Sequence, residues 1–202
     1  NMKTIENNSL RLTGKDKEVT LYGWVQKKRD LGGVCFIDLR DRSGIVQLVA
    51  REGDTYTLAS NLKNESVLKV EGIVKERESK NKNIATGDIE VELTNIELLN
   101  SSRDLPFEIT NDTTALEDTR LKYRYLDLRR SNLKDNLITR HKIMLAIRNF
   151  LDSKGFIEVE TPVLTTLLTG ASARPFVTHH NAQDLDMYLR IALELHLKRL
   201  LV

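Results

Sequence analysis

Hydrophobic and polar residues alternate with a period of two along several short segments in the first half of the chain. The clearest alternation runs from Val19 to Gln26. Such alternation predicts strands with one buried face. The turn sequence Asp41-Arg42-Ser43-Gly44 lies between two of these segments and predicts a hairpin. The predicted strands cover residues 19–26, 34–39, 45–50, 68–74 and 89–93.

Five strands, with a short helix expected within residues 55–65, are enough for one small barrel. A helix between the third and fourth of five strands is the inventory of the OB-fold, a Greek-key barrel whose open face binds oligonucleotides. Small barrels also serve as contact modules for other proteins, and the pattern alone leaves both uses open. The sequence therefore predicts a five-stranded OB-fold barrel at residues 1–103.

A helical period replaces the strand period after Arg140. Gly155 stands where this helix should end, because glycine readily takes the left-handed conformation of a helix C-terminus. Residues 156–161 then have the composition of a strand, which Pro162 stops. The pattern predicts a helix–turn–strand unit of an ordinary kind. The apolar stripe of the helix consists of Ile143, Ala146, Ile147, Phe150 and Leu151.

Loop-forming residues separate the barrel from this unit. Residues 100–120 are rich in Ser, Asp, Asn, Thr and Pro. Residues 117–130 mix charges with leucine and tyrosine, which suggests a short helix packed between domains or a solvated, salt-bridged connector. The sequence predicts a hinge at residues 104–130 and a further α/β region at residues 131–202.

Composition narrows the class of protein without selecting one. The 202 residues are 40% hydrophobic and 30% charged, as in ordinary globular proteins, and the net charge of +2 means that any basic surface must be local. Cys35 is the single cysteine, which excludes an internal disulfide and fits a reducing compartment. No apolar run approaches the ~18 residues of a membrane helix, and residues 1–12 lack the apolar core of a signal peptide.

Three features of the predicted barrel favour RNA as its ligand. Lys27, Lys28 and Arg29 crowd one predicted loop, where they can neutralise phosphates. Phe36 offers a ring face for an unstacked base, and Gln47 has a donor and an acceptor for a base edge. Each feature also has a simpler interpretation: a solvated basic loop, a core phenylalanine and an outward-facing strand residue.

Residues 23–47 contain four short motifs in a fixed order. They are Gly-Trp-Val-Gln at 23–26, Arg-Asp-Leu-Gly-Gly at 29–33, Phe-Ile-Asp-Leu-Arg-Asp-Arg at 36–42 and Gly-Ile-Val-Gln at 44–47. Together they resemble the anticodon-binding domain of the bacterial aspartyl-tRNA synthetases, which are class II (subclass b) aminoacyl-tRNA synthetases. The resemblance implies that Phe36 stacks on an anticodon base, that Gln47 contacts the central uridine and that Arg29 approaches the anticodon stem. The likeness continues to about Leu164.

The helix–turn–strand unit resembles motif 1 of the class II synthetases, through Lys-Gly-Phe at 154–156 and Thr161-Pro162. In that family motif 1 lies at the homodimer interface, and its proline reaches toward the partner's active site. The resemblance implies that Gly155, Phe156 and Pro162 lie at an interface between two copies. It also implies that residues 131–202 are the first part of a class II antiparallel-sheet catalytic domain, truncated within this chain.

Beyond Leu164 the sequence resembles the lysyl-tRNA synthetases instead. This likeness implies that Gly170 and Glu194 hold the α-amino group of the amino acid. A helix-surface carboxylate paired with Lys198 is the simpler interpretation of Glu194. The stretches that carry the likeness are residues 169–181, 186–192 and 194–200.

The switch from the aspartyl to the lysyl resemblance falls within the residues that form the amino-acid pocket in these families. The lysine that an aspartyl enzyme needs for its substrate carboxylate aligns with Leu197, and the glutamate of its loop aligns with Ala171. The adjacent pair His179-His180 predicts no metal site, because neighbouring strand residues point to opposite sides and no Cys or other His stands at ligand spacing.

The sequence therefore predicts the N-terminal portion of an aspartate–tRNA ligase-like enzyme. Intact relatives bind tRNA, ATP, Mg²⁺ and an amino acid, and act as cytoplasmic homodimers. Motifs 2 and 3, which supply the arginines that bind ATP, are not found, so no catalytic residue is assigned and the 202 residues alone are expected to be inactive in aminoacylation. The alternatives are a lysine–tRNA ligase, a free-standing tRNA-binding barrel and a non-functional hybrid.

Overall fold

The computed structural model describes residues 5–168 and 173–201. The chain divides into two compact units, Asn1–Asp135 and Asn136–Val202. Short 3₁₀ turns at Asn7–Ser9 and Leu12–Gly14 precede the first strand.

The first unit is built on a closed five-stranded barrel, as the alternation predicted. Its strands are arranged in the order β1-β2-β3-β5-β4, and every pair is antiparallel except β3–β5. The predicted short helix is present between β3 and β4 as α1. The elements are β1 (Glu18–Asp30), β2 (Val34–Arg40), β3 (Ile45–Arg51), α1 (Asp54–Ser60), β4 (Val67–Glu76) and β5 (Ile89–Asn100).

The inward-facing side chains of the alternating strands form the barrel core. Removing this apolar surface from water is the main stabilising contribution, at about 25 cal/mol per Å². Completely buried members of the core include Leu21, Val25, Ile37, Leu39, Leu48 and Val91.

Gly23 allows β1 to pair with strands on both of its edges. Gly23 is opposite Leu68 of β4, and the next residue, Trp24, pairs with both Val67 of β4 and Arg40 of β2. A Cβ atom at Gly23 would lie 2.5 Å from the carbonyl oxygen of Arg40. Only glycine permits this close approach of two backbones, on which closure of the barrel depends.

A β-bulge changes the assignment of the basic residues. They were expected in a loop, but Lys27–Asp30 are the last four residues of β1. The ladder pairs Val25 with Leu39 and then Lys27 with Asp38, so Gln26 is the extra residue of the bulge. Lys27 and Arg29 consequently lie opposite Asp38 and Phe36 on β2.

The segment that follows the barrel packs against it. Phe107, Ile109 and Leu126 form a small second apolar cluster. Two short helices follow, α2 (Glu117–Lys122) and α3 (Arg124–Asp127). The completely buried carboxylate of Asp127 lies 2.8 Å from Arg130 and 2.7 Å from Arg124, which satisfies its charge. Residues 101–130 are called the linker below.

Glu65 joins the linker to the barrel. Its side chain is only 4% exposed, and its φ of +67° is unusual for a residue with a side chain. Arg40 donates two hydrogen bonds of 2.7 Å to the two carboxylate oxygens, and Arg129 of the linker donates a third at 2.5 Å. The guanidinium groups of both arginines lie over Trp24, at 6.0 and 5.5 Å from the ring.

The second unit contains most of a long helix and a small sheet. Helix α4 (Ser131–Ser153) is terminated by Gly155, as predicted. The φ of Gly155 is +81°, and the Phe156 N–H donates to the Leu151 carbonyl in a Schellman motif. The predicted apolar stripe of α4 is exposed within this chain. The remaining elements are β6 (Leu164–Thr165), β7 (Val177–His180), β8 (Leu185–Leu189) and α5 (Glu194–Leu200), with sheet order β6-β8-β7.

The strand expected at residues 156–161 is absent from the described structure, where this segment joins no ladder. Hydrogen bonds at its end are supplied differently. Arg190 donates through its guanidinium to the carbonyl oxygens of Thr161 and Pro162, and its backbone N–H donates to Val163 at 2.9 Å. Pairing with β8 begins only at Leu164. Residues 156–161 therefore have the amino-acid composition of a strand but no neighbouring strand to pair with among the described residues.

Candidate nucleic-acid interface

The three barrel residues singled out from the sequence converge on one cavity of about 270 Å³ on the outside of the barrel. Arg29 of β1 lies directly opposite Phe36 of β2, and Gln47 of β3 is opposite Asp38, the next outward-facing residue of β2. The bulge at Gln26 and the strand register therefore bring together residues up to 18 positions apart in sequence. This space is called the outer cavity.

Polar contacts fix the side chains of the outer cavity. The Arg29 guanidinium lies 5.7 Å from the centre of the Phe36 ring and donates a 3.0 Å hydrogen bond to Oε1 of Gln47. Nε2 of Gln47 donates at 2.8 Å to Glu90. Gln47 is only 4% exposed, so its amide orientation is set by one donor and one acceptor. The site holds an aromatic ring beside an ordered row of hydrogen-bonding groups.

Sequence reasoning missed several residues that line the outer cavity, among them Glu90 and Arg77. Glu90 lies on β5, 43 residues from Gln47, and Arg77 follows the end of β4. Alternation places Glu90 on the outside of the barrel, but it gives no sign that β5 pairs with β3 and so brings Glu90 beside Gln47. Only the barrel topology carries that information.

Asp38 is an acidic neighbour of the basic residues. Its carboxylate is 25% exposed and lies 3.7 Å from Arg29. Burial raises the pKa of Asp38 above its usual value, and the nearby charges of Arg29, Arg77 and Lys27 only partly oppose this. The ionised carboxylate is therefore less favourable here than in the unfolded chain.

Replacing Asp38 with Asn should stabilise the first unit at pH 7. A raised pKa in the folded state means that the folded chain binds more protons, so stability is lost as pH rises through the interval above the unfolded value of about 3.9. The neutral amide removes this dependence. Urea unfolding at pH 4 and pH 7 measures it: the gain should be larger at pH 7. An equal gain at both values would show that Asp38 is unimportant for the pH dependence.

Glu194, assigned to the amino-acid pocket, is the first residue of α5 and is exposed. It lies 2.5 Å from Nζ of Lys198, which holds the pKa of the Glu194 carboxyl below its usual value. This is the ion pair of the simpler interpretation. Gly170, the other residue assigned to that pocket, lies outside the described residues.

The residues assigned to a dimer interface lie close together in sequence but differ in environment. Gly155 caps α4, and Phe156 beside it is 65% exposed. The Pro162 carbonyl accepts a hydrogen bond of 3.0 Å from Arg190. Within this chain the apolar side chains of Phe156 and its neighbours are not covered.

The two adjacent histidines are engaged at the β7–β8 hairpin. His179 lies 2.9 Å from Asp186 and 3.3 Å from Asp184, and His180 accepts from the backbone of Gln183. Across residues 5–168 and 173–201, no three potential metal ligands are grouped as a cation site would require. Within the same residues, no helix joins the length and hydropathy of a bilayer-spanning segment.

The sequence is similar to those of curated proteins over most of its length. The chain is 52% identical over 181 residues to an aspartate–tRNA ligase from Geobacillus kaustophilus, covering 87% of this chain and 30% of the relative. It is 50% identical over 171 residues to an aspartate–tRNA ligase from Bacteroides thetaiotaomicron, covering 83% of this chain and 29% of the relative. The chain thus spans about 30% of the length of these curated relatives.

A solved structure shares the fold over nearly the whole chain. Asparaginyl-tRNA synthetase from Pyrococcus horikoshii, crystallised with asparaginyl-adenylate, matches with a TM-score of 0.85 and 26% identity, covering 98% of this chain and 45% of its own. Family models match as well: "OB-fold nucleic acid binding domain" at residues 19–99 and "tRNA synthetases class II (D, K and N)" at residues 116–202. The second model groups three specificities and does not separate the aspartyl from the lysyl resemblance. Residues 19–99 are therefore an OB-fold nucleic-acid-binding domain and residues 116–202 are a class II tRNA synthetase domain, with aspartate–tRNA ligases among the curated relatives of the chain.

Proposed function

We propose that the barrel binds the anticodon loop of a tRNA, and that the chain is the N-terminal portion of an aspartate–tRNA ligase that joins an amino acid to tRNA at the expense of ATP. The observation that carries the proposal is the convergence of Arg29, Phe36 and Gln47 on the outer cavity. A ring face, a cation and an amide at one place are the groups that recognise an unpaired nucleotide.

A base can bind to the second N–H and the second lone pair of the Gln47 amide, or it can replace a partner that Gln47 has in the free protein. In the free protein its Oε1 accepts from Arg29 and its Nε2 donates to Glu90. A uracil edge offers one donor and two acceptors, so the Gln47 amide can transfer a hydrogen bond to the base without leaving a buried polar group unpaired. Arg29, released from Gln47, can then face the phosphate backbone. In the free protein, hydrogen bonds to other side chains already orient the Gln47 amide and the Arg29 guanidinium.

We assign no ATP or Mg²⁺ site within the described residues. Arg190 is bound to the carbonyl oxygens of Thr161 and Pro162, and Arg148 pairs with Glu158 at 2.9 Å. The carboxylates and histidines of these residues form no cation cluster. We therefore derive no catalytic step from this chain. ATP and Mg²⁺ belong to the proposed activity of the whole enzyme, as do an amino acid held by Gly170 and Glu194, a homodimer formed through Gly155, Phe156 and Pro162, and a cytoplasmic location.

Binding to two transcribed tRNAs, for aspartate and for lysine, tests the proposal. At one moderate salt concentration the chain should bind the aspartate tRNA more tightly. Arg29→Ala should weaken binding and reduce the slope of log K against log salt by about 0.7–0.9, the contribution of one phosphate contact. Lys75→Ala is the matched control, because Lys75 pairs with Asp16 and lies outside the outer cavity.

Two other outcomes have definite meanings. Preference for the lysine tRNA would assign the chain to the lysine–tRNA ligases. Equal, weak binding to both tRNAs, with the same salt slope for Arg29→Ala and Lys75→Ala, would contradict anticodon reading altogether.

A further inference from the structure

A second and larger cavity lies next to the outer cavity. It has a volume of about 750 Å³ and is bounded by the barrel on one side and by linker residues 103–110 on the other. Ile45, Leu105, Phe107 and Ile109 form an apolar part of its wall, and polar residues form the rest, with Lys27 and Asp38 on the barrel side. This space is called the linker cleft. An apolar surface with polar groups beside it is typical of a ligand site.

The linker cleft and the outer cavity are lined by neighbouring outward-facing residues of β2. Phe36 and Asp38 are alternate residues of that strand and face the same way, about 6.7 Å apart along it. Asp38 lines the linker cleft and lies 3.7 Å from Arg29, which lines the outer cavity. A strand of RNA that places one base against Phe36 therefore reaches the linker cleft with its next nucleotide.

The side chains of Lys27 and Asp38 are free to bind a ligand. The Lys27 ammonium group forms no hydrogen bond and no close ion pair with any residue that the structure describes. The Asp38 carboxylate accepts no hydrogen bond within the same residues; Arg29 lies 3.7 Å from it, and Arg77 and Lys27 act on it from further away. Among the other charges of the wall, Lys63 pairs with Asp104 at 2.7 Å and Glu65 is bound by two arginines, while Arg103 and Glu108 are exposed residues of the linker.

The chemistry of this pair selects a nucleotide. A carboxylate accepts a hydrogen bond from an exocyclic amine of cytosine, adenine or guanine. Uracil has no such amine, and its one N–H stands between two carbonyl oxygens that repel a carboxylate. A free ammonium group neutralises a phosphate. The apolar wall opposite them suits the face of a base. Asp38 lines the linker cleft although its burial disfavours the ionised form, and a carboxylate perturbed in this way at a cavity wall is a candidate for a functional role.

We infer that the linker cleft is a second nucleotide site, for the neighbour of the base held against Phe36, in which Asp38 accepts from an amine of the base and Lys27 contacts its phosphate. The inference rests on the proposed function, because it requires the barrel to bind an RNA loop. It adds a specificity-determining residue, Asp38, and a part of the linker to the RNA-binding surface.

The test uses the full chain and a fluorescein-labelled stem-loop RNA with the aspartate anticodon, in which each loop nucleotide is replaced in turn by an abasic one. Asp38→Ala should weaken binding of the intact RNA about tenfold. The same substitution should have less than about a twofold effect on the one RNA whose abasic position is the nucleotide of the linker cleft. Uracil at that position should reproduce the loss in the unmodified protein.

The sign of the effect separates this inference from general electrostatics. Removing a negative charge near phosphates should tighten non-specific binding, whereas loss of a base contact weakens specific binding. Glu97→Ala, which removes an exposed acid of β5 outside both cavities, is the matched control. Asp38→Asn keeps an oxygen acceptor and should lose less than Asp38→Ala, and thermal unfolding of both variants shows that they are folded.

The outcomes distinguish the two proposals. If Phe36→Ala weakens binding while Asp38→Ala and Lys27→Ala match their controls or bind more tightly, the second site is overturned and anticodon reading survives. If none of these variants weakens binding, both proposals fail.

Discussion

Replacing Glu65 with glutamine should lower the free energy of unfolding of the first unit by about 3 kcal/mol. The change leaves Arg40 and Arg129 facing a neutral amide, and removing one partner of a buried ion pair typically costs 3–5 kcal/mol. We expect the lower end of that range, because Arg129 is 34% exposed and stays partly hydrated. The chain has a single tryptophan, Trp24, which lies beneath both arginines, so urea unfolding followed by its fluorescence reports this unit.

Two further variants identify the cause of the loss. Glu71→Gln removes an exposed acid of β4 that lies 3.5 Å from Lys69, and it should cost less than about 1 kcal/mol. Glu65→Gly keeps the positive φ, relieves its steric cost of about 1–2 kcal/mol and removes the carboxylate. If Glu65→Gly is as stable as the unmodified protein, the backbone conformation and not the ion pair is what matters at this position.

Replacing Phe36 with alanine should weaken binding of an aspartate anticodon stem-loop by about 10- to 100-fold. Base–aromatic stacking typically contributes about 1–3 kcal/mol per base, and 1.4 kcal/mol is a factor of ten. The salt dependence should stay the same, because no phosphate contact is lost. Fluorescence anisotropy titrations at two salt concentrations measure both quantities.

Shape and ring character at position 36 are separable. Phe36→Leu keeps an apolar side chain opposite Val49 of β3 but has no ring face, so it should bind RNA almost as weakly as Phe36→Ala. Phe36→Trp restores the face and should bind nearly normally. Phe156→Ala, which removes an exposed ring of the second unit, is the control. Full affinity in Phe36→Leu would mean that the residue supports the fold of the cavity and does not stack on a base.

The barrel was predictable because it depends on local signals. Alternation located all five strands, and Asp41–Gly44 marked the hairpin between β2 and β3. The left-handed glycine at the end of α4 was equally readable. These features follow from the intrinsic preferences of short stretches of chain.

The interface was only partly predictable because it depends on contacts between distant strands. Arg29, Phe36 and Gln47, assigned to RNA binding from the sequence, line one cavity, and their role in binding RNA stays a prediction. Their fourth partner, Glu90, enters through the parallel β3–β5 contact, which no local pattern encodes. Glu65 was missed for the same reason, since its partners lie 25 and 64 residues away.

The second unit shows where composition misleads. Residues 156–161 favour a strand, but strand formation needs a neighbouring backbone, and within the described residues none pairs with this segment. The Arg190 guanidinium binds the carbonyl oxygens at its end instead.

The bulge in β1 separates two sets of residues of one strand that make different contacts. Gln26, the additional residue, donates at 3.2 Å to the Ile109 carbonyl of the linker and accepts from Arg40 at 2.5 Å, while Lys27 and Arg29 on its far side line the linker cleft and the outer cavity. Attachment of the linker and the proposed recognition of RNA therefore use different side chains only one residue apart. Evolution or a protein engineer can alter the outer surface of such a barrel while leaving its attachment to the linker intact.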